Sequence, residues 1–435
     1  MSARTFLRAI NRQPLRAVAA WALIAAACST EGRHEGAGAK PQCAPDNGGL
    51  TLPTGFCAAV VLGESPGTLR GIAVDEFGHL YTLAVRDSGG VYVRWDANGD
   101  GVFDHSQRLT DVTGVGAQFT GDTLWVASPH AVLSAHVDKR GHALVGALDT
   151  IVVDLPRGGE HGAKPLVLGG SGSLYVAIGS ESNSCQVSNR APGSPGRAPC
   201  PELANRAGIW RFDAGRTGQR FADGERIATG MRSVVGFARH PASGELFATI
   251  HGIDDLHRAW PALYTPRDGA TKPSESLVLV QRGGDYGWPT CYFDRDVGSL
   301  LQTAEYGGDG QKRCANAAAV IPLLGFTGRT GPNALLFHSG RGLPDRYRNG
   351  AFVSLHGPTT WTEFTTVGYA LAFVPFANGR PAGEAEVFAN GFAGPDPRRP
   401  LYRPMGLAEG PDGSLFVGET LHGRVWRIMA TPAPR

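Results

Sequence analysis

Residues 160–180 read E-H-G-A-K-P-L-V-L-G-G-S-G-S-L-Y-V-A-I-G-S, and this stretch decides the fold. Two apolar runs, Leu166–Leu168 and Leu174–Ile178, flank a Gly/Ser turn. The second run is rich in β-formers, and Gly169–Gly172 supplies the positive φ that a tight hairpin needs. The segment is therefore expected to form a two-stranded hairpin. Glu160 and His161 lead into it and Gly179-Ser180 leads out, so an imidazole is placed beside short polar groups at one hairpin end.

The same pattern recurs along the chain. Copies run from Arg70 to Leu83, Thr113 to Ser128, Arg232 to Thr249 and Arg403 to Gly418, with a looser one from Gly331 to Gly357. Each is a short apolar strand, a Gly-centred turn and then Leu or Phe followed by aromatic or β-branched residues. Irregularly spaced copies of one hairpin are the mark of radial repetition with insertions. Six copies predict an all-β, six-bladed β-propeller with loop insertions. The last strand, around R-V-W-R-I-M, is expected to pair with a strand near Phe56 to Leu62 and seal the ring.

Composition agrees: 61 glycines and 30 prolines in 435 residues, with only 18% charged, suit many strands joined by tight turns. A formal net charge of +2 gives no electrostatic footprint for nucleic acid or an anionic membrane. Before the body, Arg4, Arg8, Arg12 and Arg16 precede an apolar run from Ala17 to Ala27, the layout of a signal peptide. That run is too short to span a bilayer. It ends A-A-A-C at Cys28, which leaves lipoprotein processing and ordinary secretion both open. The expected organisation is a signal peptide over 1–27, a flexible tether over 28–49 and the propeller over 50–430. Either route exports the protein, to the bacterial periplasm or, as a lipoprotein, to the outer membrane.

Six further cysteines, Cys43, Cys57, Cys185, Cys200, Cys291 and Cys314, fall into three close pairs. An oxidising compartment permits disulfides, and of the 15 possible connectivities the local one is expected. The chain has no C-x-x-C-H motif and hence no c-type haem attachment site.

Chemistry is expected at the hairpin mouths. Arg70, Arg232 and Arg403 share one repeat phase at the start of an inner strand, where each faces the central channel. Converging guanidiniums make a site for a polyanion, because each pairs bidentately with a carboxylate. His161 is placed to act as a general base, with Glu160 or Glu181 as the group that would orient it. His356 stands at the exit of another inner hairpin, in L-H-G-P-T-T-W. In W-D-A-N-G-D-G-V-F-D, Asp96, Asn98, Asp100 and Asp104 have the spacing of the front of an EF-hand loop, although Gln107 occupies the place of its bidentate Glu. The competing reading is an ion-free Asp/Asn/Gly turn.

These motifs together, with L-P-T-G-F, A-T-G-M-R-S-V-V-G-F and G-G-D-Y-G-W-P, resemble the soluble pyrroloquinoline-quinone (PQQ)-dependent sugar dehydrogenases, especially the L-sorbosone dehydrogenase-like branch, from about Leu52 to Ile428. The resemblance implies PQQ over the central channel, His161 as the catalytic base, and Arg232 and Arg403 on the cofactor. It also implies an activating Ca²⁺ on the carbonyls of Gly252 and Ile253, and a second Ca²⁺ near Glu275 and Tyr286. The family's Arg-Asn pair is Arg232-Ser233 here, Ser180 stands where better-known members carry a carboxylate, and no lysine matches the quinone lysine. The expectation is an exported oxidoreductase for an aldose, polyol or related aldehyde, passing electrons to an external acceptor. Two alternatives are a metal-dependent lactonase and a non-catalytic propeller that binds carbohydrate or protein.

Overall fold

The computed structural model describes residues 40–431, apart from 66, 87, 360, 366 and 367. The expected signal peptide, Cys28 and the tether up to residue 39 lie outside the described residues.

Six four-stranded antiparallel units radiate from a closed ring of inner strands. The inner strands are Thr68–Val74, Gly116–Thr120, Leu166–Leu168, Val234–Arg239, Pro332–Phe337 and Pro404–Glu409, and each touches the next around the ring. Every one pairs with the following strand across the hairpin read from the sequence, as in Leu166↔Val176 and Leu168↔Leu174. The sixth blade is closed by the two chain ends: Phe56–Leu62 pairs antiparallel with Val425–Ala430, Phe56 opposite Ala430. Closure of this kind ties the two ends of the ring together, and radial repetition leaves each blade only short, protected edges.

Alternating residues of each strand face the neighbouring blade, so the core is a set of layers between blades. One holds Trp125, Val132, Leu174, Val176 and Trp210; another holds Phe247, Leu277, Leu335, Val353 and Phe376. Near the axis the neighbouring blade approaches closely at three inner strands, and a glycine stands at each of these points, Gly116, Gly236 and Gly406. A Cβ on Gly236 would sit 3.0 Å from the Ala334 carbonyl carbon and 2.5 Å from Thr249 Oγ1. Gly236→Val is expected to destabilise the fold by about 2 kcal/mol through overpacking, read as a lower urea midpoint. An unchanged midpoint would show that the blades can spread.

Residues 40–49, part of the stretch whose composition reads as a tether, are pinned to the closing blade. Cys43 bonds Cys57, Ala44 N–H donates to the Ala58 carbonyl (2.8 Å), and Trp426 Nε1–H donates to the Gly48 carbonyl (3.0 Å). The other two cysteine pairs are also the local ones, Cys185–Cys200 and Cys291–Cys314. Both pin insertions at one end of the ring.

Candidate functional site

Inner strands start, and their partners finish, at the same end of the ring. Four inner strands carry a register shift there, between Leu69 and Gly71, Val234 and Phe237, Pro332 and Ala334, and Pro404 and Gly406. A bulge adds an unpaired residue and re-aims its side chain. Arg70 and Asn333 are two such residues. The loops converge on a cavity of about 350 Å³ whose wall includes His161, Arg232, His251, Glu275, His356 and Arg403. Arg232 precedes one inner strand and Arg403 another, while His251 and His356 each follow a second strand directly.

His161 reaches this wall because Gly179, directly after the returning strand, has no Cβ; one would lie 2.4 Å from the His161 carbonyl oxygen. Its Nδ1 is 2.8 Å from Ser180 Oγ. The Ser180 hydroxyl donates to the Ser182 carbonyl (2.7 Å), so its oxygen is left to accept from Nδ1–H. That fixes the tautomer and leaves Nε2 as the lone-pair nitrogen. Burial, then the Arg232 cation, push the His161 pKa down to about 2, so the ring is neutral.

Neither carboxylate suggested for orienting His161 does so. Glu160 binds Arg190 through both oxygens and accepts from Asn189 (2.7 Å). Burial raises its pKa, but these hydrogen bonds outweigh it and hold the carboxyl below its usual range. Glu181 turns outward to Arg206, 3.6 Å away.

Arg232 is buried and held on one side. Nε–H donates to the Asn183 carbonyl (3.0 Å), and Nη2–H to Asn183 Oδ1 (2.7 Å) and to Asp254 Oδ2 (2.8 Å). Asn183 Oδ1 also accepts Asp254 N–H (2.8 Å), so one buried amide joins the Cys185–Cys200 loop, Arg232 and the 252–254 turn. Arg403 donates to the carbonyls of His356 (3.3 Å) and Gly357 (2.8 Å), with its guanidinium over the Tyr369 ring. Arg70 does not line the cavity. Burial, then the Arg86 and Arg403 cations, lower its pKa. Burial, then Arg403 and Arg70, keep His356 neutral, with Nε2 3.1 Å from Thr420 Oγ1. Ser233 is buried behind the wall, its carbonyl accepting His251 N–H (2.9 Å).

The metal candidates are scattered. Gly252 and Ile253 line a smaller void of about 40 Å³ that shares Arg232 and His251 with the main cavity. Among the described residues no N–H donates to either carbonyl. Tyr286 faces that void and accepts Gln281 N–H through its hydroxyl (2.9 Å), whereas Glu275 faces the main cavity. The structure thus does not bring these two together in one cavity. In the Asp96–Asp104 loop the candidate side-chain oxygens cap backbone amides of the loop itself. Asp96 accepts Gly99 and Gly101 N–H (both 2.7 Å), Asn98 accepts Asp100 N–H and Asp104 accepts Ala97 N–H (both 2.9 Å). The oxygens that the spacing offers to a cation bind the loop's own amides, and its three carboxylates do not meet within 4.8 Å.

Glu275 is buried, with Oε2 accepting Gly331 N–H (3.0 Å). Burial, then the nearby Asp254 charge, push its pKa up to about 8. A raised carboxyl pKa means that the folded state holds a proton which the unfolded chain has released. Stability should therefore fall as pH rises from about 4.5 to about 8, by at most ~1.4 kcal/mol per pH unit. Glu275→Gln is expected to flatten this slope in melts across pH 5–8; the same slope in the variant would assign it to another group.

Sequence reasoning missed His251, Arg190, Asn183, Asp254 and Asn333. His251 follows its strand as His356 does, so the repeat phase could have found it. Its Nε2 and Asn333 Oδ1 are buried on the cavity wall without a well-formed hydrogen bond among the described residues, although the His251 and Asn333 side chains lie within reach of each other. Such atoms are costly unless a ligand or water satisfies them.

A TrAA12-like family model matches residues 50–431. A pyrroloquinoline quinone-dependent sugar dehydrogenase of Hypocrea jecorina is 21% identical over 405 residues, 88% of this chain and 86% of that protein. An uncharacterized protein of Borreliella burgdorferi is 23% identical over 205 residues, and the match spans about half of each chain (47% and 48%). Among solved structures, the Trichoderma reesei Carbohydrate-Active Enzymes Family AA12 protein superposes with a TM-score of 0.72 at 20% identity, over 90% of this chain and 99% of that one. The PQQ domain of pyranose dehydrogenase from Coprinopsis cinerea gives 0.69 at 20%, over 90% and 98%. The soluble aldose sugar dehydrogenase of Escherichia coli gives 0.56 at 13%, over 86% and 100%. These likenesses fix the propeller fold, and the match across residues 50–431 places the chain in the TrAA12-like family.

Proposed function

We propose that this chain is an exported, PQQ- and calcium-dependent oxidoreductase that oxidises an aldose or related polyol and passes electrons to an external acceptor. The observation that carries the reading is the single cavity where an oriented, neutral His161 faces Arg232 and Arg403. A flat polycarboxylate fits this donor set: guanidiniums for its acids, and two polar atoms without a well-formed hydrogen bond, His251 Nε2 and Asn333 Oδ1, for its ring heteroatoms. The uncommitted carbonyls of Gly252 and Ile253 are the oxygen donors that a hard cation prefers. When bound, the quinone supplies a two-electron acceptor and calcium a Lewis acid.

The protein's own part is to bind, orient and take a proton. His161 Nε2 receives the substrate hydroxyl proton, while Nδ1–H stays on Ser180 and stabilises the imidazolium that forms. Burial and then Arg232 oppose that charge in the free protein; a carboxylate placed against Arg232 offsets the second of these and raises the basicity of Nε2. The lactonase alternative needs carboxylates converging on a metal; Asp254, Asp255 and Glu275 line the cavity, but the two aspartates are paired with arginines and the three do not meet at ligand distance.

Reconstitution with Ca²⁺ and PQQ tests the reading. The expected result is a cofactor absorbance that aldoses bleach, lost in His161→Ala. Lactone hydrolysis without quinone binding would replace this reading with the lactonase, and absence of both would leave a binding propeller. Export is checked by fractionation, with acylation of Cys28 read by mass spectrometry.

A further inference from the structure

The opposite end of the ring, where the hairpins turn, carries a cluster that the cavity chemistry does not use. His79 ends the inner turn of the first blade, and His142 ends an outer turn of the second. Their Nε2 atoms face each other at 3.4 Å. That is long for an N–H···N hydrogen bond, which prefers about 2.9–3.0 Å. It is close to the separation of about 3.3 Å between two imidazole nitrogens on one tetrahedral ion, each about 2.0–2.1 Å from the metal. The ring planes cross at 76°.

Both rings are fixed in advance. Asp75 is buried; Oδ1 accepts Phe77 N–H (3.0 Å) and His79 N–H (2.9 Å), and Oδ2 accepts Tyr81 O–H (3.1 Å) and His79 Nδ1–H (3.0 Å). With Asp75 Oδ2 as its acceptor, the His79 ring carries its proton on Nδ1 and leaves Nε2 as a lone pair, the arrangement found behind metal-binding histidines. His142 stacks on Trp95 at 3.8 Å and 9°, with φ at 52°, a conformation that persists only where its surroundings over-determine it. The His79 side chain is 17% exposed, enough for an ion to enter with its remaining waters.

We propose that His79 and His142 form a two-histidine chelate for a divalent transition cation that favours imidazole, Zn²⁺ or Cu²⁺, clamping the first blade to the second. Among the described residues no third histidine, cysteine or carboxylate joins them at ligand distance, so water completes the coordination. The site is independent of the quinone reading.

Trp95 reports on it directly. Cu²⁺ added to the full chain should quench tryptophan fluorescence saturably at about one equivalent, and Zn²⁺ should compete and raise the melting temperature. Trp95→Phe should remove most of the saturable quench. His142→Ala, on a surface turn, should abolish saturable binding with the fold intact by circular dichroism, and Asp75→Asn should weaken it by about 10–100-fold. No saturable quench in the parent chain, or an unchanged affinity in His142→Ala, overturns the site and leaves a plain histidine contact. If His142→Ala fails to fold, His79→Gln carries the same test.

Discussion

Replacing His161 by alanine should lower sugar-dependent turnover by about 10³–10⁴-fold while leaving quinone affinity close to its starting value. The size follows from what a positioned base contributes, typically ~10²–10⁴ in rate, taken near the top because neither neighbouring carboxylate is free to replace it. Glu160 is bound to Arg190 and Glu181 to Arg206, so neither can substitute. The companion variant is Ser180→Ala. Removing the hydroxyl leaves Nδ1 only the Ser180 carbonyl, at 3.2 Å, as a weaker acceptor. The imidazole keeps its tautomer but loses its tighter anchor. Its loss should be smaller, about 10-fold, in kcat rather than KM. The measurement is single-turnover bleaching of the reconstituted cofactor. If His161→Ala keeps more than a tenth of the rate, the base is another group, and His251 would be the next to examine.

The fold was legible because the features that build a propeller are local. A hairpin needs a glycine turn and period-two apolar residues, and each of the six copies in the sequence coincides with an inner hairpin of the structure. Glycines such as Gly236 recur for a local reason as well, the close approach of blades at the axis. The site was legible only where it borrowed the repeat. Arg232 and Arg403 were found by phase, and Arg70 by phase too, although its bulge places it outside the cavity wall.

Partners were not legible. The hydrogen bonds that join Asn183 to Arg232 and Asp254 span 49 and 71 residues, and no spacing rule reaches that far. The orienting group of His161 was misread for a geometric reason. Glu160 and Glu181 are joined directly, Glu160 N–H to the Glu181 carbonyl (2.8 Å), one residue outside the His161–Ser180 pair. Successive residues of extended chain point to opposite sides, so both carboxylates turn away from the imidazole. The Asp96–Asp104 loop shows the same limit: carboxylates at cation spacing can equally bind their own loop amides.

Arg232→Leu should have the widest effect of any single change. Three of its donors end on Asn183 and Asp254, so removal leaves a buried amide oxygen and a carboxylate without their cation. Breaking a buried pair costs ~3–5 kcal/mol. The lower end, about 3 kcal/mol, applies because Asp254 keeps 36% of its side chain open and also holds Arg190 at 3.1 Å. Quinone affinity should fall by more than about 100-fold, since a charge-assisted contact of ~1.5–3 kcal/mol is lost together with the alignment of the 252–254 turn. A second effect has the opposite sign. Arg232 is the main charge that disfavours protonation of His161. Its loss should raise the His161 pKa, while burial still holds it below an ordinary histidine. Histidine titration by NMR reads this shift separately from stability. An upward shift with lost quinone affinity places cation and base in one field around one ligand. An unchanged His161 titration would mean that the two groups do not share the cavity, and the proposed chemistry would have no site.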